Sequence, residues 1–168
     1  MITKDHEDDN CGISKFAFIG VLNKHLRLDS VITTDAGATT EIPMQALNFT
    51  SARQRYLGSA SQCEMGYSIP AAVGASVGRD KKEILCVVGD GSLQLNIQEL
   101  QTIVTQKLPI KIFVWNNNGY GTIRGHQKTI FKGRYVGVDE ASGTAFPNLE
   151  KISAAYGIRY ESAATLKE

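Results

Sequence analysis

The sequence predicts an α/β protein with a doubly wound, mostly parallel sheet and helices on both faces. Two short, continuously apolar runs, residues 84–88 and 110–115, are typical of strands buried on both faces. Between them, residues 92–107 carry apolar side chains at the spacing of an amphipathic helix. A strand, a crossover helix and a second strand form a right-handed unit almost without exception, so the two strands should be parallel.

The segment before this unit adds two helices and a strand. Ser14 could cap a helix whose apolar residues recur near helical spacing up to Leu26. Residues 31–34 are short and β-branched, which predicts a strand that ends in the loop 35–37. Residues 67–77 are apolar and rich in Ala and Gly, and this pattern indicates a helix packed closely against the sheet.

The segment after the unit is less regular. Residues 117–146 contain many glycines without a clear period, which predicts a long, partly mobile functional loop. A helix should follow over residues 148–156, and one more strand over residues 158–160. In the parallel arrangement Gly89 and Asn116 stand at the same edge of the sheet, where open α/β sheets bind their ligands.

Length, charge and composition exclude several classes of protein. The 168 residues, 42% of them hydrophobic, suffice for one packed domain, so residues 1–168 are expected to form a single domain. A net charge of +1 without long runs of either sign gives no basis for nucleic-acid binding. No apolar stretch approaches the roughly 20 residues of a membrane span, and the polar N-terminus is unlike a secretory signal. We therefore expect no membrane association and a cytoplasmic location.

Two polar clusters lie at the predicted edge of the sheet. The glycines of Gly89-Asp90-Gly91 allow a close approach to a ligand, and Asp90 adds a carboxylate just before the predicted helix at Ser92. A carboxylate beside an anion site suits Mg²⁺ bound to a diphosphate. The second cluster, residues 116–119, offers neutral oxygen ligands. Each cluster alone is better explained as a polar turn, but their position on neighbouring strand ends favours a shared site.

The two clusters resemble the signature of thiamine-diphosphate-dependent enzymes. In GDGSLQLNIQEL followed by LPIKIFVWNNNGYG, 24 residues separate the GDG from the NN, as in that family. The resemblance covers roughly residues 13–160 and is closest to acetolactate-synthase-like members, which have a stretch similar to MGYSIPAAVGASVG before the motif. It implies the thiamine-diphosphate-binding fold, with thiamine diphosphate and Mg²⁺ as cofactors.

The resemblance implies metal and cofactor ligands within the two clusters. Asp90, the side chain of Asn117 and the backbone carbonyl of Gly119 would hold the metal. The residues that it places around the diphosphate are the rest of the GDGS motif, Gly89, Gly91 and Ser92.

Two further parts of the sequence would contact the cofactor. Met65 lies 25 residues before Asp90, where the family has a bulky residue that props thiamine diphosphate into a bent conformation. The bend brings the pyrimidine 4′-amino group against C2 of the thiazolium, so that the cofactor can remove its own proton. On packing grounds alone, a lone Met is more often a core residue. Thr39 and Thr40 correspond approximately to the family's first phosphate-contacting loop.

The residues after the asparagines bear on the reaction. Thr122 and Ile123 fall where relatives line the substrate pocket. Simple 2-oxo acid decarboxylases with a similar segment carry a Glu nearby as a proton donor, and this sequence has none between Asn118 and Glu140. The resemblance therefore favours a carboligase, which decarboxylates a 2-oxo acid and ligates the product to a second carbonyl compound.

The resemblance also implies a partner. In this family a Glu from a pyrimidine-binding domain activates the cofactor, and 168 residues leave no room for such a domain. We therefore expect the truncated C-terminal part of a larger enzyme, without a catalytic residue of its own and inactive alone. It would need a pyrimidine-binding domain of the same or a partner chain, and it would form a homo-oligomer.

Two other functions remain open at this point. The chain could be the short subunit of a split 2-oxo acid decarboxylase of the sulfopyruvate or phosphonopyruvate type, with a lone pyrimidine domain encoded by a neighbouring gene. It could also be a non-catalytic nucleotide-binding domain, which predicts no heat stabilisation by thiamine diphosphate.

Overall fold

The structure is a computed structural model that describes residues 12–59 and 61–165. The described α-helices are α1 (Lys15–His25), α2 (Ala38–Ala46), α3 (Ser68–Val77), α4 (Asp90–Leu95), α5 (Glu99–Gln106), α6 (Gly121–Ile130) and α7 (Leu149–Ala155). The described strands and one 3₁₀ turn are β1 (Val31–Thr33), β2 (Arg55–Leu57), β3 (Ile84–Gly89), β4 (Ile110–Trp115) and Glu140–Ser142. None of these helices has both the length and the apolar character that a membrane crossing requires. The expectation for the polar N-terminal segment concerns residues outside the described ranges.

The four strands form one parallel sheet in the order β2-β1-β3-β4. The chain runs outward from β1 to β2, returns across β1 to β3, and continues to β4 on the other side. The direction of winding reverses between β1 and β3, so the crevice beyond their carboxyl ends is the switch point, where open α/β sheets bind ligands. Gly89 pairs with Trp115, and the ends of β3 and β4 therefore lie at one edge, as predicted.

Helices cover both faces of the sheet, because successive residues of a strand point to opposite sides. On β3, Ile84, Cys86 and Val88 belong to one apolar cluster, together with side chains of α3, α5 and α7. Leu85 and Val87 belong to a second cluster, with side chains of α1 and α2. All five β3 residues are buried. The predicted doubly wound α/β fold is therefore confirmed, and its core lies on the two sides of β3.

The helix predicted over residues 92–107 is in fact two shorter helices, α4 and α5. The first one ends at Leu95, because Asn96 leaves helical geometry and its side-chain amide donates to the Gly66 carbonyl at 2.8 Å. The second one then carries the buried Leu100 and Ile103. A bond to a residue 30 positions away leaves no trace in local periodicity.

The structure corrects three other expectations. Residues 117–146 contain α6 and the 3₁₀ turn instead of one long loop, and residues 158–160 form no strand. The sequence predicts complete burial of β4, but this strand is half-buried because it is the last one on its side of the described sheet. The sequence pattern also misses α2, which contains Pro43, and β2, a three-residue strand with an exposed Arg55.

Candidate functional site

The switch point brings two aspartates to the carboxyl ends of β1 and β3. Asp35 lies two residues after β1, and Asp90 follows β3 directly as the first residue of α4. Asp35 is completely buried, and Asp90 is 3% exposed. Buried carboxylates need polar partners, so the hydrogen bonds that each one accepts indicate its role.

Asp90 accepts three backbone hydrogen bonds that join the two polar clusters predicted from the sequence. Its Oδ1 accepts from the Gly91 N–H at 2.9 Å. Its Oδ2 accepts from the N–H groups of Asn117 and Gly119 at 3.2 and 3.1 Å. Since a carboxylate has about four acceptor positions, these donors leave capacity for one more ligand, such as a cation.

The side-chain oxygen of Asn117 is an unpaired polar atom close to this carboxylate. Asn117 Oδ1 is buried and has no hydrogen-bond partner among the described residues. A buried amide oxygen without a partner costs about 1–3 kcal/mol. Amide and carboxylate oxygens are ligands that Mg²⁺ prefers, so Asp90 and Asn117 together fit a divalent cation.

This set of ligands differs from a cluster of acidic side chains. Within residues 12–59 and 61–165, no group of three or more His, Cys, Asp or Glu residues is arranged to hold a metal. A metal at the switch point would have one carboxylate, the Asn117 amide oxygen and the Gly119 carbonyl as protein ligands. Phosphate oxygens and water would complete the six positions that Mg²⁺ prefers.

Two glycines of the site have no room for a side chain. A Cβ at Gly119 would lie 2.2 Å from the carbonyl oxygen of Val138, and a Cβ at Gly91 would lie 2.5 Å from the ring of Tyr120. The Tyr120 N–H donates to the same Val138 carbonyl at 2.9 Å, and its ring packs edge-on against Phe146. The segment after β4 therefore packs directly against Gly91 at the start of α4.

Arg124 braces this segment from α6. Its guanidinium donates to the Asn117 carbonyl at 3.2 Å and lies 3.6 Å from the Asp139 carboxylate. Hydrogen bonds from the side chain and backbone of Ser142, together with the charge of Arg124, hold the pKa of Asp139 below its ordinary value. Asp139 is therefore ionised at neutral pH and keeps Arg124 in place.

Asp35 differs from Asp90 because all of its acceptor positions are used. Oδ1 accepts from the Ala36 N–H at 2.7 Å and from the Thr39 hydroxyl at 2.9 Å. Oδ2 accepts from the Gly66 N–H at 3.2 Å and from the Ser68 hydroxyl at 3.1 Å. These donors match the about four acceptor positions of a carboxylate. Asp35 therefore organises the switch point and is not a candidate metal ligand.

The predicted phosphate contacts Thr39 and Thr40 lie in the first turn of α2 and not in a loop. Both are buried. The Thr39 hydroxyl shares its one proton between Asp35 Oδ1 and the Ala36 carbonyl. The Thr40 hydroxyl donates to the Asp35 carbonyl at 2.7 Å. Neither hydroxyl has a proton left for a phosphate in this conformation, so a contact here would have to come from the backbone.

Met65 lies half-buried on the loop before α3. The next residue, Gly66, donates its N–H to Asp35 and accepts at its carbonyl from Asn96. These bonds tie the Met65 loop to the ends of both β1 and α4. Met65, which is predicted to keep the cofactor bent, is therefore connected to the same switch point as Asp90.

Thr122 and Ile123, the predicted pocket residues, are exposed in the first turn of α6. A Cβ at Gly37 would lie 2.6 Å from Thr122 Oγ1, so the loop after β1 meets α6 at this point. Gly37 has a φ of +60°, a conformation that favours glycine. The two residues therefore lie on the surface directly beside the switch point.

Sequence reasoning missed the residues that support the site. These are Asp35, Asn96, Tyr120 and Arg124. One signal existed for Asp35, which closes a β-branched strand just as Asp90 closes β3. The other three act through contacts between distant segments, so no local sequence pattern predicts their role.

The fold and the site define an α/β protein with a buried carboxylate and an unpaired amide oxygen at the switch point of its sheet. The family model described as "Thiamine pyrophosphate enzyme, C-terminal TPP binding domain" matches residues 35–168. This range includes Asp90, Asn117 and Gly119. The chain belongs to this family, and the resemblance stated from the GDG and NN motifs is confirmed.

Curated proteins similar to this chain include acetolactate synthases. It is 38% identical over 139 residues to "Acetolactate synthase large subunit" of Porphyra purpurea, covering 83% of this chain and 23% of the relative. It is 35% identical over 130 residues to "Acetolactate synthase isozyme 2 large subunit" of Escherichia coli (strain K12), covering 77% and 23%. It is 33% identical over 144 residues to "Acetolactate synthase 1, chloroplastic" of Nicotiana tabacum, covering 83% and 21%. The chain spans less than a quarter of the length of these three relatives.

Proposed function

We propose that this chain is the thiamine-diphosphate- and Mg²⁺-binding domain of an acetolactate-synthase-like enzyme. The complete enzyme would decarboxylate a 2-oxo acid and ligate the product to a second carbonyl compound. The family match and the names of the relatives support this proposal. Because the chain spans so little of those relatives, the full activity would need further parts of the protein.

The buried, unpaired Oδ1 of Asn117 is the observation that carries the metal part of the proposal. The backbone N–H of the same residue donates to Asp90 Oδ2, so the amide and the carboxylate belong to one small cluster. A divalent cation would satisfy the amide oxygen and neutralise the buried carboxylate together, and it would attract a diphosphate.

Each residue of the proposed site has a defined task. Asp90, the Asn117 side chain and the Gly119 carbonyl would hold Mg²⁺. The residues that would surround the diphosphate are Gly89, Gly91 and Ser92, with Thr39 and Thr40 contributing through their backbone. When bound, thiamine diphosphate supplies an electron sink for decarboxylation. Met65 would keep the cofactor bent, and Thr122 and Ile123 would line the substrate pocket.

Catalysis would also require a pyrimidine-binding domain of the same or a partner chain. The resemblance assigns the activating Glu to that domain, so the 168-residue chain should not turn over pyruvate by itself. Apolar side chains on α6 and just after it are exposed, namely Ile123, Ile130, Phe131 and Val136. A second copy of the chain that covers this apolar surface would give a homo-oligomer.

Metal-dependent binding in matched variants tests the proposal. Calorimetric titration of the chain with millimolar thiamine diphosphate should show binding with Mg²⁺ and none with EDTA. Asp90→Ala should abolish binding, because it removes the one carboxylate of the metal site. Asn117→Ala should weaken binding about tenfold, since water can replace a neutral ligand.

Asn116→Ala is the matched control, because Asn116 is the exposed neighbour in the same cluster, and its side chain accepts the Asn118 N–H at 3.0 Å. The affinity of the Asn116→Ala variant for thiamine diphosphate with Mg²⁺ should equal that of the wild type. Unchanged Mg²⁺-dependent affinity in Asp90→Ala would refute the metal site. Turnover of pyruvate by the purified chain, with contaminating enzyme excluded, would refute the need for a second domain.

A further inference from the structure

Gly66, which follows Met65, is held from both sides by side chains from separate parts of the fold. Its N–H donates to Asp35 Oδ2 at 3.2 Å, and its carbonyl accepts from Asn96 Nδ2 at 2.8 Å. Gly66 is buried and has a φ of +86°, a backbone conformation that strongly favours glycine. Both polar groups of this buried residue therefore depend on two side chains.

These two side chains come from opposite sides of the switch point. Asp35 follows β1, whereas Asn96 directly follows α4, the helix that begins with Asp90. The contact is close, since a Cβ at Gly66 would lie 2.8 Å from Asn96 Nδ2. The loop that carries Met65 is thus bound to the helix that carries Asp90.

We propose that Asp35 and Asn96 are positioning residues, which hold Gly66 and thereby fix Met65 relative to Asp90. The inference rests on the proposed function, in which Met65 and Asp90 act on two ends of one cofactor molecule. Groups that bind both ends of a small molecule need a fixed separation, and a misplacement of about 1 Å can cost on the order of 100-fold in rate. Asp35 accepts four hydrogen bonds already, which suits a residue that holds other groups and binds no ligand itself.

Methyl NMR of the whole chain measures the position of Met65 without any cofactor. The sequence has three methionines, so [¹³C-methyl]methionine labelling gives three signals, of which Met44 on α2 serves as a reference. Asn96→Ala should move the Met65 signal toward its position in the unfolded chain and leave Met44 unchanged. Because the Gly66 N–H donates to Asp35, its hydrogen exchange should instead become about 2- to 12-fold faster in Asp35→Asn, whose uncharged amide is a weaker acceptor.

Asn23→Ala is the matched control, because Asn23 makes the same kind of contacts elsewhere. Its Nδ2 donates to the Ala46 carbonyl at 2.8 Å, and its Oδ1 accepts from the Asn48 N–H at 3.0 Å. Both variants should lower the melting temperature by similar amounts, but only Asn96→Ala should move the Met65 signal. A Met65 signal that stays in place in Asn96→Ala overturns the proposal.

Titration with thiamine diphosphate and Mg²⁺ separates this inference from the proposed function. The cofactor should shift the Met65 signal in the wild-type chain, and Asn96→Ala and the nearly isosteric Asp35→Asn should need about tenfold more cofactor for the same shift. If no wild-type signal responds, the proposed function fails. If the wild type responds and both variants respond at the same cofactor concentration, the positioning role alone fails.

Discussion

Gly119 is the position where one added methyl group should disturb the site most. A Cβ there would lie 2.2 Å from the Val138 carbonyl oxygen, so Gly119→Ala must push one of the two backbones aside. Overpacking of this kind costs about 1–3 kcal/mol. The displaced backbone also carries the hydrogen bonds from Tyr120 N–H to Val138 and from Gly119 N–H to Asp90, each worth about 1 kcal/mol. The expected loss of unfolding free energy is therefore about 3–5 kcal/mol.

Urea unfolding followed by circular dichroism measures this loss. Gly125→Ala is the control, because Gly125 lies inside α6 with nothing within 4 Å of its Cβ position. That variant should gain about 0.5–1 kcal/mol from the higher helix propensity of alanine. If the unfolding free energy of Gly119→Ala lies within about 0.5 kcal/mol of the wild-type value, the close packing of Val138 against Gly119 is refuted.

The remaining predictions concern the pKa values of two residues, Cys86 and Asp139. Burial raises the pKa of the Cys86 thiol to about 12, so iodoacetamide at pH 8 should label Cys86 in urea but not in the folded chain; equal labelling in both would contradict this burial. In the unfolded chain this thiol has its ordinary pKa of 9.0 and ionises more readily than in the folded chain. The folded chain should therefore lose stability as the pH rises from 9.0 toward 12. Ser142 and Arg124 lower the pKa of Asp139, so its stabilising effect is present above pH about 4 and is lost as the pH falls. Asp139→Asn should flatten the loss of stability in acid, and an unchanged acid limb would contradict this role.

The parts of the fold that the sequence predicts are those with a strong local pattern. The β3 and β4 runs are continuously apolar, and the parallel pairing of Gly89 with Trp115 follows from the handedness of the crossover. By contrast, α2 contains Pro43 and two threonines, and β2 is a short edge strand with an exposed Arg55. α6 is mostly polar and buries none of its residues, and its two large apolar side chains, Ile123 and Ile130, are too few to predict a helix.

The candidate site also has parts that the sequence predicts and parts that only the folded chain shows. The GDG and NN clusters stand out in the sequence because glycine, aspartate and asparagine are concentrated at strand ends. The contacts that connect these clusters to Met65 depend on the folded chain: Asp35 reaches Gly66 across 31 positions, and Asn96 reaches it across 30. The break between α4 and α5 has the same origin, since Asn96 leaves the helix to make its bond. Long-range hydrogen bonds of this kind override local helix propensity.

Paramagnetic Mn²⁺ tests most directly whether Asp90, Asn117 and Gly119 hold a metal. Mn²⁺ accepts the same oxygen ligands as Mg²⁺ and broadens the NMR signals of nuclei close to it. In the ¹⁵N-labelled chain with thiamine diphosphate, Mn²⁺ should first broaden the N–H signals of Gly91, Asn117 and Gly119, and Asp90→Ala should remove this selectivity. Selective broadening at another part of the chain, or none at these three residues, would contradict a metal site formed by Asp90, Asn117 and Gly119.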